Sequence, residues 1–372
     1  MWVQRISILG LFCLLCCAKY DAQSSLLVLG LLSGSPASCT TSSSWQRQIK
    51  LTFNNSAQAT NLDNFPVLVV LNANRVPYCM IQAQGQDLRF FDSDGTTSLD
   101  YEIEKFDSSG SSLIWVRVPK VDASSATDFI YMRYGNTVAA DAQNKTGVWS
   151  SGYRAVYHFA SSFTDSTSSA NNGADLATTS LATGFIGSGR NFLTTSNSSV
   201  TNGVTGYSAA TGTIEAWARA SILPGAGTRK YIFSHRVGST DTRIYLYSLN
   251  ATGDFRFGMG NLFDVSCGAC NSTGVQLTVG QWNYLGLTWN GGAFAVYANG
   301  SPTPTNPTGT YANFGAIDTN SFLGSFKNAG ENWDGLIDEV RVTNTVKPAA
   351  YFSAQYLSMR DVFITYGAEE QF

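Results

Sequence analysis

The segment Gly335-Leu336-Ile337-Asp338-Glu339-Val340-Arg341-Val342 constrains this chain more than any other part of it. It alternates as a half-buried strand does, with Leu336, Asp338, Val340 and Val342 on one side and Ile337, Glu339 and Arg341 on the other. Two adjacent carboxylates in so apolar a strand cost desolvation energy unless something satisfies them. One of them, Asp338 by this register, is therefore expected to point at backbone donors or at a cation.

Composition agrees with a chain of strands. At 372 residues there is room for two domains, each burying its own core. Charged residues make up 13%, about half the usual share, while Ser, Thr, Asn and Gly fill the gap and 13% of residues are aromatic. This suits short strands joined by polar turns. An apolar content of 44% and a net charge of -3 argue against disorder. So small a charge also leaves no electrostatic footprint for nucleic acid or for an acidic membrane surface.

Residues 1–38 have the layout of a signal peptide. Arg5 precedes an apolar stretch from Ile6 to Ala18, and a second runs from Leu26 to Leu32. Neither reaches the roughly 18 unbroken apolar residues of a spanning helix, so no transmembrane helix is expected in the mature chain. Ser35 and Ala37 fit the small-x-small rule for cleavage. Ala37-Ser38-Cys39 also resembles the end of a bacterial lipobox, with Pro36 where that motif has Leu, which makes Cys39 a candidate for lipidation and residues 39–44 a tether. The expected location is secreted or cell-surface, as an outer-membrane lipoprotein if Cys39 is acylated.

Export places the remaining cysteines, Cys39, Cys79, Cys267 and Cys270, in an oxidising compartment. Cys267-Gly-Ala-Cys270 has neither a second pair nor a nearby His for zinc, and no strand-to-helix context for a redox motif. A local loop disulfide between Cys267 and Cys270 is the expectation. Cys79 either pairs with Cys39 or is a buried thiol if Cys39 carries lipid.

Residues 45–140 form the first domain. Ile49, Leu51 and Phe53 alternate with polar neighbours, Phe65 to Leu71 is a continuous apolar run, and further short strands follow at Leu88, Ser112 and Phe129. Their spacing is that of a β-sandwich. Six motifs fall in order here: Trp45-x-Arg47, Phe65-Pro66-Val67, Asp87-Leu88-Arg89-Phe90, Asp100-Tyr101-Glu102-Ile103-Glu104, Ile114 to Pro119, and Tyr134-Gly135-Asn136. Together they resemble a bacterial extracellular domain of unknown function that is commonly found ahead of laminin-G-like modules.

Residues 141–152 read as a polar connector, and residues 153–367 as the second domain. In it stand Tyr157-His158-Phe159, Phe163-x-Asp165-Ser166 with Asn172-Gly173, Gly187-x-Gly189-Arg190-Asn191-Phe192, Ile214 to Trp217, Gln281 to Tyr284, Tyr297-x-Asn299-Gly300, and Gly335 to Val342. This order resembles the laminin-G-like, concanavalin A-like jelly roll. The expected fold is therefore all-β, an N-terminal β-sandwich followed by a jelly roll. Pro348 to Ser358 makes at most a short helical turn before a closing strand at Val362 to Tyr366.

The resemblance also implies a calcium ion (Ca2+) at the sandwich rim, with Asp165, Asn172 and Asp338 as its candidate ligands. The alternative is that Asp165 caps a turn and Asp338 accepts backbone hydrogen bonds. Among the aromatics, Trp217, Trp282 and Trp289 belong to strands, whereas Trp333 lies in a loop and is the candidate platform for a sugar ring. Glu215 and Glu339 would be the only glycosidase pair to consider, and no Glu-x-Asp-x-x-Glu string supports it. Glu102 and Glu104 read as a solvated edge, and His158 as a satisfied core histidine. The Asn-x-Ser/Thr sites at Asn54, Asn144, Asn197, Asn250, Asn271 and Asn299 read as solvated turns. What emerges is a non-catalytic surface protein whose jelly roll binds a glycan or glycoprotein. The alternatives are a structural subunit of a surface fibre or envelope complex, contacting protein neighbours, and a carbohydrate-targeting accessory to a hydrolase.

Overall fold

Alternating apolar residues build the first module. In the strand Arg47–Phe53, Ile49, Leu51 and Phe53 are buried while their neighbours are only partly so. The computed structural model describes Cys39 and residues 42–371, apart from residues 161, 177–178, 197–199, 202–203, 207, 238–241, 261–270, 306–320 and 327–330. One antiparallel sheet of the first module runs in the order Ile364–Gln371, Arg47–Phe53, Phe129–Tyr134, Arg89–Phe91. The other runs Leu62–Leu71, Ser112–Val121, Tyr101–Lys105. The two sheets share one core, to which Leu51, Val67, Val69, Ile114 and Met132 contribute.

The last strand of the chain thus completes the first module. Phe53 pairs with Ile364 and Arg47 with Gln371, so the segment expected to close the jelly roll closes the β-sandwich instead. Ahead of it, Pro348 to Ser358 is no single turn but part of a helix, Ala349–Met359. The helix buries Ala350, Tyr351, Phe352, Ala354, Gln355, Ser358 and Met359. Burial on nearly every side removes the one-faced period by which an amphipathic helix is recognised. It caps the free edge of Leu62–Leu71: the Leu68 amide donates to Ser358 Oγ at 2.9 Å, and Gln355 Nε2 donates to the Pro66 carbonyl at 2.6 Å. Tyr366 Oη takes the Val70 amide at 2.9 Å. Backbone groups that would otherwise template strand pairing are satisfied in this way.

The second module has two larger antiparallel sheets. Among the described residues one is ordered Ser301–Pro302, Ala293–Ala298, Trp282–Asn290, Thr211–Ala220, Gly335–Thr343, Ser188–Phe192, Ser180–Thr183, with Tyr153–Tyr157 also paired to Gly335–Thr343. The opposing sheet runs Ser272–Gln276, Asp254–Met259, Thr242–Leu249, Arg229–Val237, Ser321–Leu323, Val200–Thr201, Ala174–Asp175. Ile214, Phe233, Leu246, Phe257, Leu287 and Val340 lie in the core between them. This is the expected all-β jelly roll behind a β-sandwich.

The first of these sheets is buried on both faces. Along Thr211–Ala220, Ile214, Ala216 and Ala218 enter the jelly-roll core, while Trp217 belongs to the cluster of the first module and the helix. Gly286 faces the same way: any Cβ there would collide with the Phe352 ring. The segment read as a polar connector is exposed over residues 141–146 but is anchored by its second half. Asn144 caps the short helix Lys145–Val148 by accepting from the Gly147 amide at 3.1 Å, and Val148 and Trp149 are fully buried.

Truncating Phe352 removes a ring stacked on Tyr297 at 4.0 Å between centroids. Phe352→Ala is expected to cost about 3–5 kcal/mol in urea unfolding. The helix belongs to the core of the first module and packs on the second, so the loss should appear as one transition shifted whole. Two separate transitions would show that the modules unfold independently.

Candidate functional site

The strand Gly335–Thr343 does not keep simple alternation. Opposite Thr211–Ala220, Asp338 pairs with Trp217 and Arg341 with Glu215, so Glu339 and Val340 together oppose Ala216. The extra residue is a β-bulge, and Glu339 sits in it at φ +49°, a left-handed conformation that a side chain adopts only at a cost. The bulge puts Ile337, Val340 and Val342 in the jelly-roll core. Asp338, Glu339 and Arg341 are left to the seam, where each is at most 1% exposed. The predicted register, with Asp338 beside Val340 and Val342, is corrected by this one-residue slip.

Arg341 is the centre of the seam. Its Nη2 donates to Glu339 Oε2 at 2.6 Å, and its Nη1 lies 3.3 Å from Glu215 Oε1 and 3.2 Å from Gln355 Oε1. The guanidinium carbon stands 4.4 Å from the Trp115 ring and 5.0 Å from that of Trp149. Glu215 also accepts from the Tyr284 hydroxyl, and from that of Tyr351 at 2.8 Å.

His158 continues the network. Its Nδ1 is 2.6 Å from Glu339 Oε1 and 3.6 Å from Glu104 Oε2, and its Nε2 is 3.4 Å from Glu102 Oε2. Trp149 Nε1 donates to Glu102 at 2.6 Å, Ser166 Oγ to the same carboxylate at 2.6 Å, and Trp115 Nε1 to Glu104 at 2.9 Å. Glu102 and Glu104 are therefore no solvated edge. Their side chains are only 10% and 2% exposed because the second module covers that strand. Over them lies a cleft of about 140 Å³ lined by Glu102, Glu104, Lys145, His158, Ser162 and Ser166.

Burial and mutual charge set the protonation of these groups. Burial, reinforced by Glu339, pushes Glu104 up to about 8, and burial with Glu339 also drives Asp338 well above the carboxylate range. Burial acts the same way on Glu102 and Glu339, but His158 outweighs it in Glu102, and His158 with Arg341 in Glu339, so both lie below the ordinary value. Burial would lower His158, and the charges of Glu339 and Glu102 instead hold it well above its usual range.

The residues expected to hold calcium are otherwise engaged. Asp165 Oδ1 accepts from the Val156 and Thr167 amides, and Oδ2 from Thr167 Oγ1 and the Asn171 amide. Asn172 Oδ1 takes the Asp165 amide, while Asp338 accepts from the Ile186 and Glu339 amides. Asp165 and Asp338 share no partner, and the hydrogen-bonded alternative describes what they do. Trp333 is corrected: it is 0% exposed, packed in the jelly-roll core with Nε1 directed at the Leu336 carbonyl, because so large a ring gains more from burial than from a rim position. Among the described residues no Trp, Tyr or Phe is exposed. Asn271, expected in a solvated turn, is buried, donating to Tyr247 Oη and the Phe257 carbonyl. Cys267 and Cys270 lie outside the described residues, as do residues 1–38. Cys39 and Cys79 are both disulfide-bonded and Cys79 is exposed, so Cys79 is no buried thiol, and the Cys39 sulfur is not free for a thioether here.

What the sequence missed was the convergence of Glu102, Glu104, His158, Glu215, Glu339 and Arg341. The signal was present as two apolar strands carrying paired acids, Tyr101–Lys105 and Gly335–Thr343, but only tertiary packing makes them meet.

Removing Arg341 would strand Glu215 and Glu339 without their shared cation. Arg341→Met is expected to lower the unfolding free energy by about 3–5 kcal/mol, and Arg341→Lys to recover little, since one ammonium cannot bridge both carboxylates. Urea denaturation of the three proteins checks this. Lys347, 4.8 Å from the rings of both Tyr153 and Tyr351, is held down to about 8 by burial, against the attraction of Glu215 and with the repulsion of Arg341. Between about pH 8 and 10 the unfolded chain keeps a proton there that the folded chain has released, so Lys347 contributes a rise of stability with pH, opposite in sign to the contribution of His158, which the folded chain keeps protonated above the free imidazole range. Lys347→Met should abolish that rise and stabilise the protein at pH 7 by up to about 3 kcal/mol, read from unfolding curves at each pH. The buried Tyr153, Tyr284 and Tyr351, all raised by burial, titrate above this window.

Comparison with known proteins gives two family matches. Residues 84–173 match a domain of unknown function, DUF2341, and residues 187–350 match the concanavalin A-like lectin/glucanases superfamily. No curated protein matches the chain. Among solved structures, domain 4 of AbnA, a GH43 extracellular arabinanase from Geobacillus stearothermophilus, in complex with arabinotriose, is 19% identical over 55% of this chain and 98% of that one, with a TM-score of 0.43. Trypanosoma rangeli sialidase in complex with the inhibitor DANA is 12% identical over 72% of this chain and 43% of its own, at 0.41. The binding domain of botulinum neurotoxin serotype D is 14% identical over 55% of this chain and 51% of that domain, at 0.40. The chain spans less than half of the sialidase and about half of the toxin domain. It carries a DUF2341 domain of unknown function followed by a concanavalin A-like, laminin-G-type domain.

Proposed function

We propose that this is an exported, non-catalytic recognition protein of the cell surface, whose jelly roll binds a glycan or the glycan of a glycoprotein. The observation that carries the reading is the match of residues 187–350 to a lectin and glucanase superfamily, joined to a site chemistry unlike that of a glucanase. Glycosidases need two carboxylates open to the substrate. Here the hydrogen-bonding capacity of Glu215 is spent on Tyr284, Tyr351 and Arg341, and that of Glu339 on His158 and Arg341. With no exposed aromatic among the described residues, recognition by these residues rests on hydrogen bonds rather than ring stacking. The apolar stretch behind Arg5 supports export.

A glycan array probed with the chain from Cys39 to Phe372, with calcium and again with a chelator, tests the proposal. Saturable binding to a defined glycan, with no sugar released over hours, is expected. A folded sample silent in both conditions would move the function to contacts with envelope proteins. Release of sugar that Glu215→Gln abolishes without unfolding the chain would make it an enzyme.

A further inference from the structure

Glu104 comes from the first module, His158 directly follows the jelly-roll strand Tyr153–Tyr157, Glu339 lies in Gly335–Thr343, and their ligand atoms all lie within 4.8 Å of one another. The distances from His158 Nδ1, 2.6 Å to Glu339 Oε1 and 3.6 Å to Glu104 Oε2, bracket the separation of about 3.3 Å between two ligands of a tetrahedral zinc ion. Each group has the outer contact that a metal ligand needs to hold its orientation. Glu102 faces the far ring nitrogen of His158 at 3.4 Å, Arg341 grips the other oxygen of Glu339 at 2.6 Å, and Trp115 Nε1 holds Glu104 at 2.9 Å. The polar cleft of about 140 Å³ opens onto Glu104 and His158 and gives an entry path with room for a water as a further ligand. The carboxylates of Glu102, Glu104 and Glu339 converge on His158 here, and an ion held among them takes the place of the hydrogen between His158 Nδ1 and Glu339 Oε1.

We propose that Glu104, His158 and Glu339 bind one divalent transition-metal ion of the zinc type, which ties the DUF2341 domain to the jelly roll. One imidazole with two carboxylates suits zinc better than calcium, which takes six to eight oxygens. The site is separate from Asp165 and Asp338 as calcium ligands, and it does not depend on glycan binding.

The test uses the chain from Cys39 to Phe372, stripped by a chelator and titrated with Zn2+ alone, with Ca2+ in parallel. Calorimetry should give one zinc per chain and a raised Tm. Glu104→Gln, which keeps an oxygen for Trp115, should weaken zinc binding by at least ~100-fold. Cobalt added to the unaltered protein should give the visible absorption of a nitrogen and oxygen shell, which needs no variant to fold. The proposal is overturned if the folded, stripped protein takes up no zinc, if it prefers calcium, or if Glu104→Gln binds zinc as before. Thiolate charge-transfer bands with cobalt would place the ion on the cysteines and overturn it equally.

Discussion

One buried guanidinium organises this molecule. Arg341 touches Trp115 and Trp149 of the first module, Gln355 of the C-terminal helix, and Glu215 and Glu339 of the jelly roll. Desolvating such a cation is favourable only where partners of opposite charge sit at fixed distances. The sandwich edge, the helix and the jelly-roll sheet must therefore all be in place before Arg341 is satisfied. A well-packed apolar residue could hold these surfaces together about as strongly, but it would tolerate sliding between them. The ionic network does not, because a shift of one residue along either strand would leave a carboxylate buried without its donor.

The bulge at Glu339 is what makes the network geometrically possible. In an unbroken strand Glu339 and Arg341 would share a face with Ile337, and Asp338 would enter the apolar core beside Val340. Placing Glu339 at φ +49° costs backbone energy, of order 1–3 kcal/mol for such conformations. The hydrogen bonds to His158 and Arg341 offset it. His158 directly follows the adjoining strand, where Val340 pairs with Tyr157, and its neighbour Phe159 also has positive φ, +55°. Two departures from regular strand geometry thus flank the contact between His158 and Glu339.

The sequence disclosed those parts of the structure whose cause is local. Alternation in Arg47–Phe53 and the ordered motifs of the jelly roll were legible because a strand with one or two apolar faces writes its period into the chain. The helix Ala349–Met359 was not, because a helix wrapped by two modules has no polar face to reveal its period. Nor was the fate of Ile364–Gln371, since the pairing of the last strand with Arg47–Phe53 depends on which sheet edge is left open. Trp333 was misplaced for a related reason: a loop position says little about exposure when the loop folds back over a core. Glu102 and Glu104 illustrate the limit best. Two acids spaced by one residue are indistinguishable in sequence from a solvated edge until a second module covers them.

This interleaving changes what the two family names mean physically. The DUF2341 match ends at residue 173 and the concanavalin A-like match at residue 350, yet the first module takes its outer strand from Ile364–Gln371. The jelly roll is in effect inserted between two parts of the β-sandwich. The ends of an inserted domain are held in the host, so the orientation of the jelly roll is fixed by covalent geometry at both ends and by the Arg341 network between them. A module meant only as a flexible tether would need neither constraint. A fixed jelly roll, by contrast, presents its loops in one direction relative to the host, and little orientational entropy remains to be lost when a ligand is engaged.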